Sequence, residues 1–251
     1  MNSWLTRLEV VLVRPETPGN VGAACRAMRN FGINRLCVVG SPGITLAGEA
    51  RALAHGCDDI LSSARLCYTL DEALAPAVLA IGTANRVRKS KLPPLLGPEE
   101  VLPQLALQAA HGPCALVFGP ESTGLTDHEL SRCGLLLKMP TAVEQPSLNL
   151  SQAVLIVAQA CWHHANAKNA APQERPWEPS PTHAEFEILL RQVVHLMEQN
   201  GFRPYANDPE QFHLSARRAL LRGHFERRDL RTLLTMTKFL ARKIIPPAAQ
   251  T

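Results

Sequence analysis

Short apolar runs bounded by turn-forming residues recur along the first part of the chain. Runs of about five residues rich in Val, Leu, Ile and Cys are typical of β-strands that are buried on both faces. Five such runs predict strands at Leu8–Val13, Arg35–Val39, Ala77–Ile81, Cys114–Phe118 and Gly134–Lys138.

Stretches with apolar residues at helical spacing lie between and after these strands. Three of them predict helices, at Asn20–Phe31, Pro98–Ala110 and Ser147–His164. Asn20 is expected to cap the first helix, Pro98 opens the second, and Ser147 or Asn149 lies at the start of the third. Strands that alternate with helices predict an α/β fold with a parallel sheet covered on both faces.

The composition changes after this α/β part, which we take as residues 1–166. Residues 167–182 contain four prolines in ten positions, which predicts an extended linker. Residues 183–251 return to helical spacing, with a second helix expected from Asp208-Pro209 and a third capped by Asp229. The sequence therefore predicts a small helical C-terminal extension that packs on the first domain or on a second subunit.

Charge distinguishes the extension from the rest of the chain. The net charge is +4, with fifteen basic and fifteen acidic residues in 1–182 but eleven basic and seven acidic residues in 183–251. A basic extension on a neutral domain indicates an anionic macromolecular partner, although an ordinary solvated surface has the same composition. The apolar run at Leu8–Val13 is too short for a signal or membrane segment, so we expect a cytoplasmic protein with no membrane association.

The seven cysteines form no C-x-x-C pair. This spacing predicts reduced, packed thiols in a reducing compartment and no metal site.

Two segments carry candidate chemistry near predicted strand ends, where parallel sheets bind ligands. In residues 19–26, Asn20, Gly22 and Arg26 follow the first strand, and a capped helix with a surface arginine would explain them equally well. In residues 118–126, two glycines and Glu121 follow a strand, which suits a loop that admits a flat ligand but also a plain turn. This loop matches neither a dinucleotide-binding nor a P-loop motif.

Two further segments follow the other strands. Residues 139–151 place two prolines before polar side chains at a helix start, where either an anionic group or simple capping is expected. Residues 82–91 carry four basic side chains within six positions, which suits RNA phosphates or a solvated loop.

Taken in order, these segments resemble the SpoU/TrmH branch of the SPOUT methyltransferases over roughly residues 8–165. The motifs that carry the resemblance are N-x-G-x-x-x-R at Asn20, Gly22 and Arg26, F-G-x-E-x-x-G-L at Phe118, Gly119, Glu121, Gly124 and Leu125, and S-L-N at Ser147, Leu148 and Asn149. Within that branch the chain is most similar to the TrmJ type, the tRNA (cytidine/uridine-2′-O)-methyltransferases that modify anticodon-loop nucleotide thirty-two. It departs from many members at Val143, where they have glycine, as the TrmJ type also does.

The resemblance implies a C-terminal deep trefoil knot in the sheet domain, a homodimer, and S-adenosylmethionine as cofactor without a metal. It implies cofactor contacts from Thr83, Ala84, Asn85, Gly119, Met139, Ser147, Leu148 and Asn149, and a catalytic set of Arg26, Asn20, Glu121, Ser147 and Asn149. RNA contacts are expected from Arg14, Arg86, Arg88 and Lys89 near the site and from Arg217, Arg218 and Arg222 on the polar side of the second extension helix.

The family's assignment of the arginine at position 26 as general base would require a guanidinium, with a pKa above about 12, to lose its proton. We therefore expect Arg26 to clamp the phosphate of the target nucleotide and to orient its 2′-hydroxyl.

Other functions fit the same motifs. The nearest alternative is methylation of another tRNA position or of rRNA, because the motifs describe the cofactor and the ribose and not the surrounding RNA. A non-catalytic RNA-binding protein on the same scaffold is an alternative of a different class, and a small-molecule methyltransferase is disfavoured by the basic extension.

Overall fold

The computed structural model describes residues 3–85, 92–142, 147–167, 180–202, 209–222 and 225–244. Within them, seven strands form one parallel sheet in the order β3-β2-β1-β6-β4-β7-β5. The strands are β1 (Leu8–Val13), β2 (Arg35–Val39), β3 (Arg65–Cys67), β4 (Leu79–Thr83), β5 (Leu95–Leu96), β6 (Cys114–Phe118) and β7 (Leu135–Leu137).

Helices cover the sheet and form the C-terminal extension. They are α1 (Pro18–Asn30), α2 (Gly48–Ala54), α3 (Asp58–Ser62), α4 (Leu70–Leu74), α5 (Pro98–Ala109), α6 (Asp127–Leu130), α7 (Leu150–Asn166), α8 (His183–Gln199), α9 (Pro209–Arg222) and α10 (Arg227–Ile244). Two short 3-10 turns, Ser3–Arg7 and Ile44–Leu46, complete the described elements. None of the described helices has an apolar stretch long enough to cross a membrane.

Both faces of the sheet are buried, as the continuous apolar strands predict. Along β1, Val10 and Leu12 belong to one core, with α1, α5 and α7, whereas Val11 and Val13 belong to the other. Alternate residues of a strand point to opposite faces, so a strand with a helical layer on each side is apolar at most positions. Glu9 of β1 is buried as an exception, and its carboxylate accepts hydrogen bonds from Arg65 at 3.0 and 2.9 Å. The α/β class and the parallel sheet are therefore confirmed.

The predicted bounds of β1, β2 and β6 are confirmed, and two other strands differ. The strand predicted at Ala77–Ile81 begins at Leu79, because the amide of Ala77 closes a turn onto the carbonyl of Leu74 (2.8 Å). The strand predicted at Gly134–Lys138 shortens to Leu135–Leu137. Strands β3 and β5 were not predicted, because two or three residues carry no measurable periodicity.

The predicted starts of two helices are wrong. Helix α1 begins at Pro18, whose fixed φ suits the first helical turn, so Thr17 occupies the N-cap and the Asn20 side chain is released for other contacts. Helix α10 begins at Arg227, so Asp229 lies inside the first turn, where its carboxylate accepts a hydrogen bond from the amide of Glu226 (2.9 Å).

Helix α1 packs closely on α2 because residue 22 is glycine. A Cβ atom at Gly22 would lie 2.0 Å from the carbonyl oxygen of Ala50. Any side chain at this position would force the two helices apart.

The C-terminal helices share a small core and contact the sheet domain. Phe186, Leu189 and Leu230 form that core. The amide of His183 at the start of α8 donates to the carbonyl of Ala77 (2.7 Å). Much of the predicted linker, residues 168–179, lies outside the described residues.

Arg217 of α9 connects two of the extension helices. Its Nε and NH2 atoms donate to the Glu187 carboxylate at 2.7 and 3.0 Å, and the residue is only 7% exposed. The prediction that Arg217 lies on the solvated side of its helix is therefore wrong, because this guanidinium neutralises a carboxylate that the packing of α8 and α9 encloses.

All seven cysteines are buried and free, which confirms the prediction of packed thiols. Burial raises the pKa of Cys114 to about 12, so this thiol stays protonated and unreactive at neutral pH.

Candidate active site

A cleft of about 750 Å³ lies at the carboxyl ends of β4, β6 and β7. Four segments line it: the end of β4 with the residues after it, the loop after β6, the residues after β7, and the start of α7. This is the edge of a parallel sheet where ligands are expected, and the volume is within the range of small-molecule sites.

The loop after β6 is shaped by two glycines. The amide of Gly124, at a φ of +68°, donates to the carbonyl of Pro120 (2.9 Å), which closes the loop on itself. A Cβ atom at Gly119 would lie 2.3 Å from backbone atoms of Gly124 and Leu125. Only glycine permits this approach, so the loop presents backbone to the cleft.

The other walls of the cleft combine ordered backbone with apolar side chains. The Thr83 hydroxyl donates to the carbonyl of Val117 (3.0 Å), and the amide of Ala84 donates to the carbonyl of Leu137 (3.1 Å). Met139 and Leu148, both half-buried, contribute apolar surface. A flat ligand with one apolar and one polar edge fits such walls.

Glu121 of the β6 loop holds the segment that leads into α1. Its carboxylate accepts hydrogen bonds from the amides of Glu16 (2.9 Å) and Thr17 (3.2 Å) and from the Asn20 side-chain amide (2.7 Å). Burial opposes ionisation of this carboxyl group, but the three donors outweigh it and lower the pKa of Glu121. The charged carboxylate thus ties the cleft loop to the first turn of α1.

Asn20 extends this contact to the third motif. Its side-chain oxygen accepts a hydrogen bond from Asn149 Nδ2 (3.0 Å). Asn149 is the N-cap of α7, with its own side-chain oxygen accepting from the amide of Ser151 (2.9 Å). A single chain of hydrogen bonds therefore joins Glu121, Asn20 and Asn149, one residue from each motif.

Seven of the eight predicted cofactor contacts line the cleft, namely Thr83, Ala84, Asn85, Gly119, Met139, Ser147 and Leu148. The eighth, Asn149, lies beside the cleft in the hydrogen-bond chain. Of the predicted catalytic set, Glu121 and Ser147 line the cleft and Asn20 contacts Glu121.

Arg26 is exposed and does not line the cleft. It follows Asn20 by six residues, about 9 Å along the α1 axis. Among the residues that the structure describes, its guanidinium has no hydrogen-bond or ion-pair partner.

Some of the predicted RNA contacts lie within the described residues and others do not. Arg86, Arg88 and Lys89 lie outside the described residues, as does Val143. Arg218 and Arg222 lie on α9; Arg218 is half-buried. Arg14 is half-exposed but is bound by the carboxylate of Glu129 on α6.

Sequence reasoning missed Glu129 as a part of the site. Its carboxylate accepts from the amide of Thr126 (2.8 Å), and the Thr126 hydroxyl caps α6 by accepting from the amide of Glu129 (3.3 Å). The T-x-x-E spacing of a capping box was the available signal. It would have identified the helix start but not the contact with Arg14.

Comparison with known proteins gives the class. The sequence model of the SpoU rRNA methylase family matches residues 7–159, so the chain belongs to this family of methyltransferases. The resemblance to the SpoU branch is confirmed.

Two relatives that match over most of this chain are both named TrmJ. The tRNA (cytidine/uridine-2′-O-)-methyltransferase TrmJ of Yersinia pestis (strain Pestoides F) is 35% identical over 236 residues, which cover 92% of this chain and 90% of the relative. The crystal structure of TrmJ from Z. mobilis ZM4 superimposes with a TM-score of 0.78 at 28% identity and covers 92% of this chain and 98% of that one.

A more distant structure shares the fold alone. An AdoMet-bound rRNA methyltransferase from Sinorhizobium meliloti superimposes with a TM-score of 0.50 at 21% identity, over 64% of this chain and 57% of that one. Among the described residues, no group of three or more His, Cys, Asp and Glu side chains is arranged to hold a metal ion.

Proposed function

We propose that this protein transfers a methyl group from S-adenosylmethionine to a ribose 2′-hydroxyl of tRNA, in the anticodon loop at nucleotide thirty-two. The observation that carries the proposal is the cleft: the segments that the family motifs identify meet there, around one chain of hydrogen bonds. The names of the 35% identical relatives, tRNA (cytidine/uridine-2′-O-)-methyltransferases, support the substrate.

The residues of the cleft fit the cofactor. The backbone of residues 118–124 and the half-buried side chains of Met139 and Leu148 offer a flat, partly apolar surface for an adenosine group. The start of α7 at Ser147–Asn149 offers a helix N-terminus and polar side chains for a carboxylate. When bound, S-adenosylmethionine supplies an electrophilic methyl group on its sulfonium. The bound cofactor in the S. meliloti methyltransferase supports the same assignment.

The chain's own contribution is alignment. Holding the ribose hydroxyl in line with the methyl group lowers the barrier by roughly 7–11 kcal/mol without any metal. Arg26, whose guanidinium is exposed, clamps the phosphate of the target nucleotide and so orients that hydroxyl. The hydroxyl proton is relayed by the clamped phosphate to water, since a guanidinium is a poor base.

The Arg26 assignment requires that RNA or a second subunit bring the nucleotide to the gap between α1 and the cleft. We propose a homodimer with the active site near the subunit interface, which would close this gap. The deep trefoil knot belongs to the same proposal, because membership of the SpoU family implies it. A cytoplasmic location follows from a tRNA substrate.

RNA is bound by cationic side chains on two surfaces. Arg86, Arg88 and Lys89 follow in sequence the end of β4, and that strand end lines the cleft. In the extension, Arg218 and Arg222 of α9 are joined by a basic set on α10. Arg231 and Lys238 of α10 are exposed, and phosphate contacts from them would position the RNA without reading its bases.

The test is incubation of the protein with labelled S-adenosylmethionine and unmodified total tRNA, followed by mapping of the labelled nucleotide. We expect one labelled 2′-O-methyl ribose in the anticodon loop, and its loss in Arg26→Ala while cofactor binding is retained. The matched control is Arg29→Ala, on the same helix and three residues away, which should remain active.

Other outcomes identify the alternatives. Label in rRNA but not in tRNA would establish the same reaction on the other substrate. Label at a different tRNA position would replace nucleotide thirty-two. Absence of cofactor binding would favour a non-catalytic RNA-binding protein on the same scaffold.

A further inference from the structure

Two segments are joined at two points beside the cleft. The first runs from Arg14 to Asn20 and leads from β1 into α1; the second runs from 119 to 130 and forms one wall of the cleft. Glu121 holds one end of the wall to the first segment through three donors, as described above. Arg14 holds the other end through Glu129.

The backbone of Arg14 is strained in a way that directs its side chain. Arg14 has a φ of +45°, in the left-handed region that non-glycine residues rarely occupy. Its amide donates to the carbonyl of Val39 (2.8 Å), which fixes the residue between the ends of β1 and β2. A conformation of this kind costs free energy and persists only where the surroundings impose it.

Gly40 leaves room for the side chain. A Cβ atom at Gly40 would lie 3.0 Å from Arg14 Cγ, and Gly40 has its own positive φ of +76°. The aliphatic part of Arg14 therefore crosses residue 40 on its way to α6. Strain at one position and glycine at the other both serve to bring the guanidinium to Glu129.

Glu129 depends on this guanidinium. It is only 6% exposed, and its carboxylate accepts from both terminal nitrogens of Arg14 and from the amide (2.8 Å) and hydroxyl (3.0 Å) of Thr126. Burial opposes ionisation of Glu129, but the hydrogen bonds from Arg14 and Thr126 outweigh it and lower its pKa. Moving Arg14 to an RNA phosphate would leave a buried carboxylate without its counter-charge, which is strongly unfavourable.

We propose that Arg14 is a positioning residue, and not an RNA ligand: its pairing with Glu129 fixes the cleft loop against the segment that carries Asn20 into α1. The inference rests on the proposed function, since the loop it fixes is the one assigned to the cofactor. Residues 123–127, adjacent to Glu129, line the cleft. Loss of the pair should therefore loosen the cofactor site and leave the RNA-binding surface unchanged.

The test compares Arg14→Gln with the wild type in three measurements. Calorimetry gives the Kd for S-adenosylmethionine. Titration with tRNA at several salt concentrations gives the salt slope, which is the slope of log Kd against log salt concentration. Hydrogen exchange of the amides in 119–127 reports on the mobility of the loop without any ligand. We expect the cofactor Kd to rise on the order of tenfold, as for loss of a charge-assisted hydrogen-bonded pair. We expect faster exchange in the loop and an unchanged salt slope.

Two variants calibrate this result. Arg14→Lys keeps the charge but not the bidentate contact, and should lie between wild type and Arg14→Gln in cofactor affinity. Arg231→Gln, on exposed α10, should show the opposite pattern, with an unchanged cofactor Kd and a salt slope smaller by about 0.7–0.9.

The inference is overturned if Arg14→Gln lowers the salt slope of tRNA binding by about 0.7–0.9, because Arg14 would then contact a phosphate. It is also overturned if loop exchange and cofactor Kd both equal the wild-type values. A wild-type protein that binds no S-adenosylmethionine would instead contradict the proposed function, and the hydrogen-exchange comparison would still decide the role of Arg14.

Discussion

Replacing Glu121 with glutamine would test the contact that holds the cleft to α1. One carboxylate oxygen accepts from the amide of Glu16, and the other accepts from Thr17 and Asn20. Glutamine has one acceptor oxygen and an NH₂ group, so at least one of the three donors would face a donor and lose its partner.

The expected loss of stability depends on the strength of the hydrogen bonds to Glu121 and on their exposure to water. Hydrogen bonds to charged groups contribute about 1.5–3 kcal/mol, but Glu121 is half-buried and water can replace part of this. We therefore expect Glu121→Gln to lower the free energy of unfolding by about 1–2 kcal/mol at pH 7. In a protein of this size, that corresponds to a fall in Tm of about 2–8 °C.

The effect depends on pH with a defined sign. Burial opposes ionisation, but the hydrogen bonds lower the folded-state pKa of Glu121 below its unfolded value. The stabilisation is thus present above the unfolded pKa of about 4.3 and is lost as the pH falls through the folded pKa. The difference between wild type and Glu121→Gln should stay constant from pH 7 to about pH 5 and should narrow as the pH is lowered further, through the unfolded pKa of about 4.3 and below it.

Urea unfolding monitored by circular dichroism over this pH range measures the difference. Glu198→Gln, an exposed glutamate near the end of α8, is the matched control and should stay within about 0.5 kcal/mol of wild type. Equal stability of Glu121→Gln and wild type at pH 7, or a difference that does not change with pH, would refute the reasoning.

Three further variants, two single and one double, test the remaining elements. Arg26→Lys should lower kcat at least tenfold with little change in cofactor Kd, since lysine cannot make a bidentate phosphate contact; steady-state kinetics with tRNA measure this. Gly22→Ala should lower the free energy of unfolding by about 1–3 kcal/mol in urea, because its Cβ would lie 2.0 Å from the Ala50 carbonyl. Arg231→Gln combined with Lys238→Gln should reduce the salt slope of tRNA binding by about 1.4–1.8, one phosphate contact for each charge removed.

Each of these has a control in the same part of the chain. Arg29→Lys lies on the helix of Arg26 and should keep wild-type kcat. A Cβ atom at Gly48 meets nothing within 4 Å, so Gly48→Ala should not be destabilising. Arg191→Gln, exposed on α8, should leave the salt slope unchanged. A variant that behaves like its control would contradict the corresponding assignment.

Much of the α/β domain was predictable from the sequence because its signals are local. The strands at Leu8–Val13, Arg35–Val39 and Cys114–Phe118 are apolar at nearly every position, as burial on both faces favours. The motif residues of the cleft were identified through their order and spacing, which resemble the SpoU family, because each turn by itself also fits a plain loop or a helix cap.

What the sequence did not determine arises between distant segments. Asn20 was read as a helix cap, but Pro18 starts the helix and Asn20 instead contacts Glu121, which is 101 residues away. Arg14 and Arg217 were predicted to contact RNA, although each neutralises a carboxylate on a helix distant in sequence. Local sequence propensity predicts the helix or turn in which a charged side chain lies. Only the packing of distant elements decides whether it meets water, RNA or a buried carboxylate, because that choice depends on desolvation and on a counter-charge from another part of the chain.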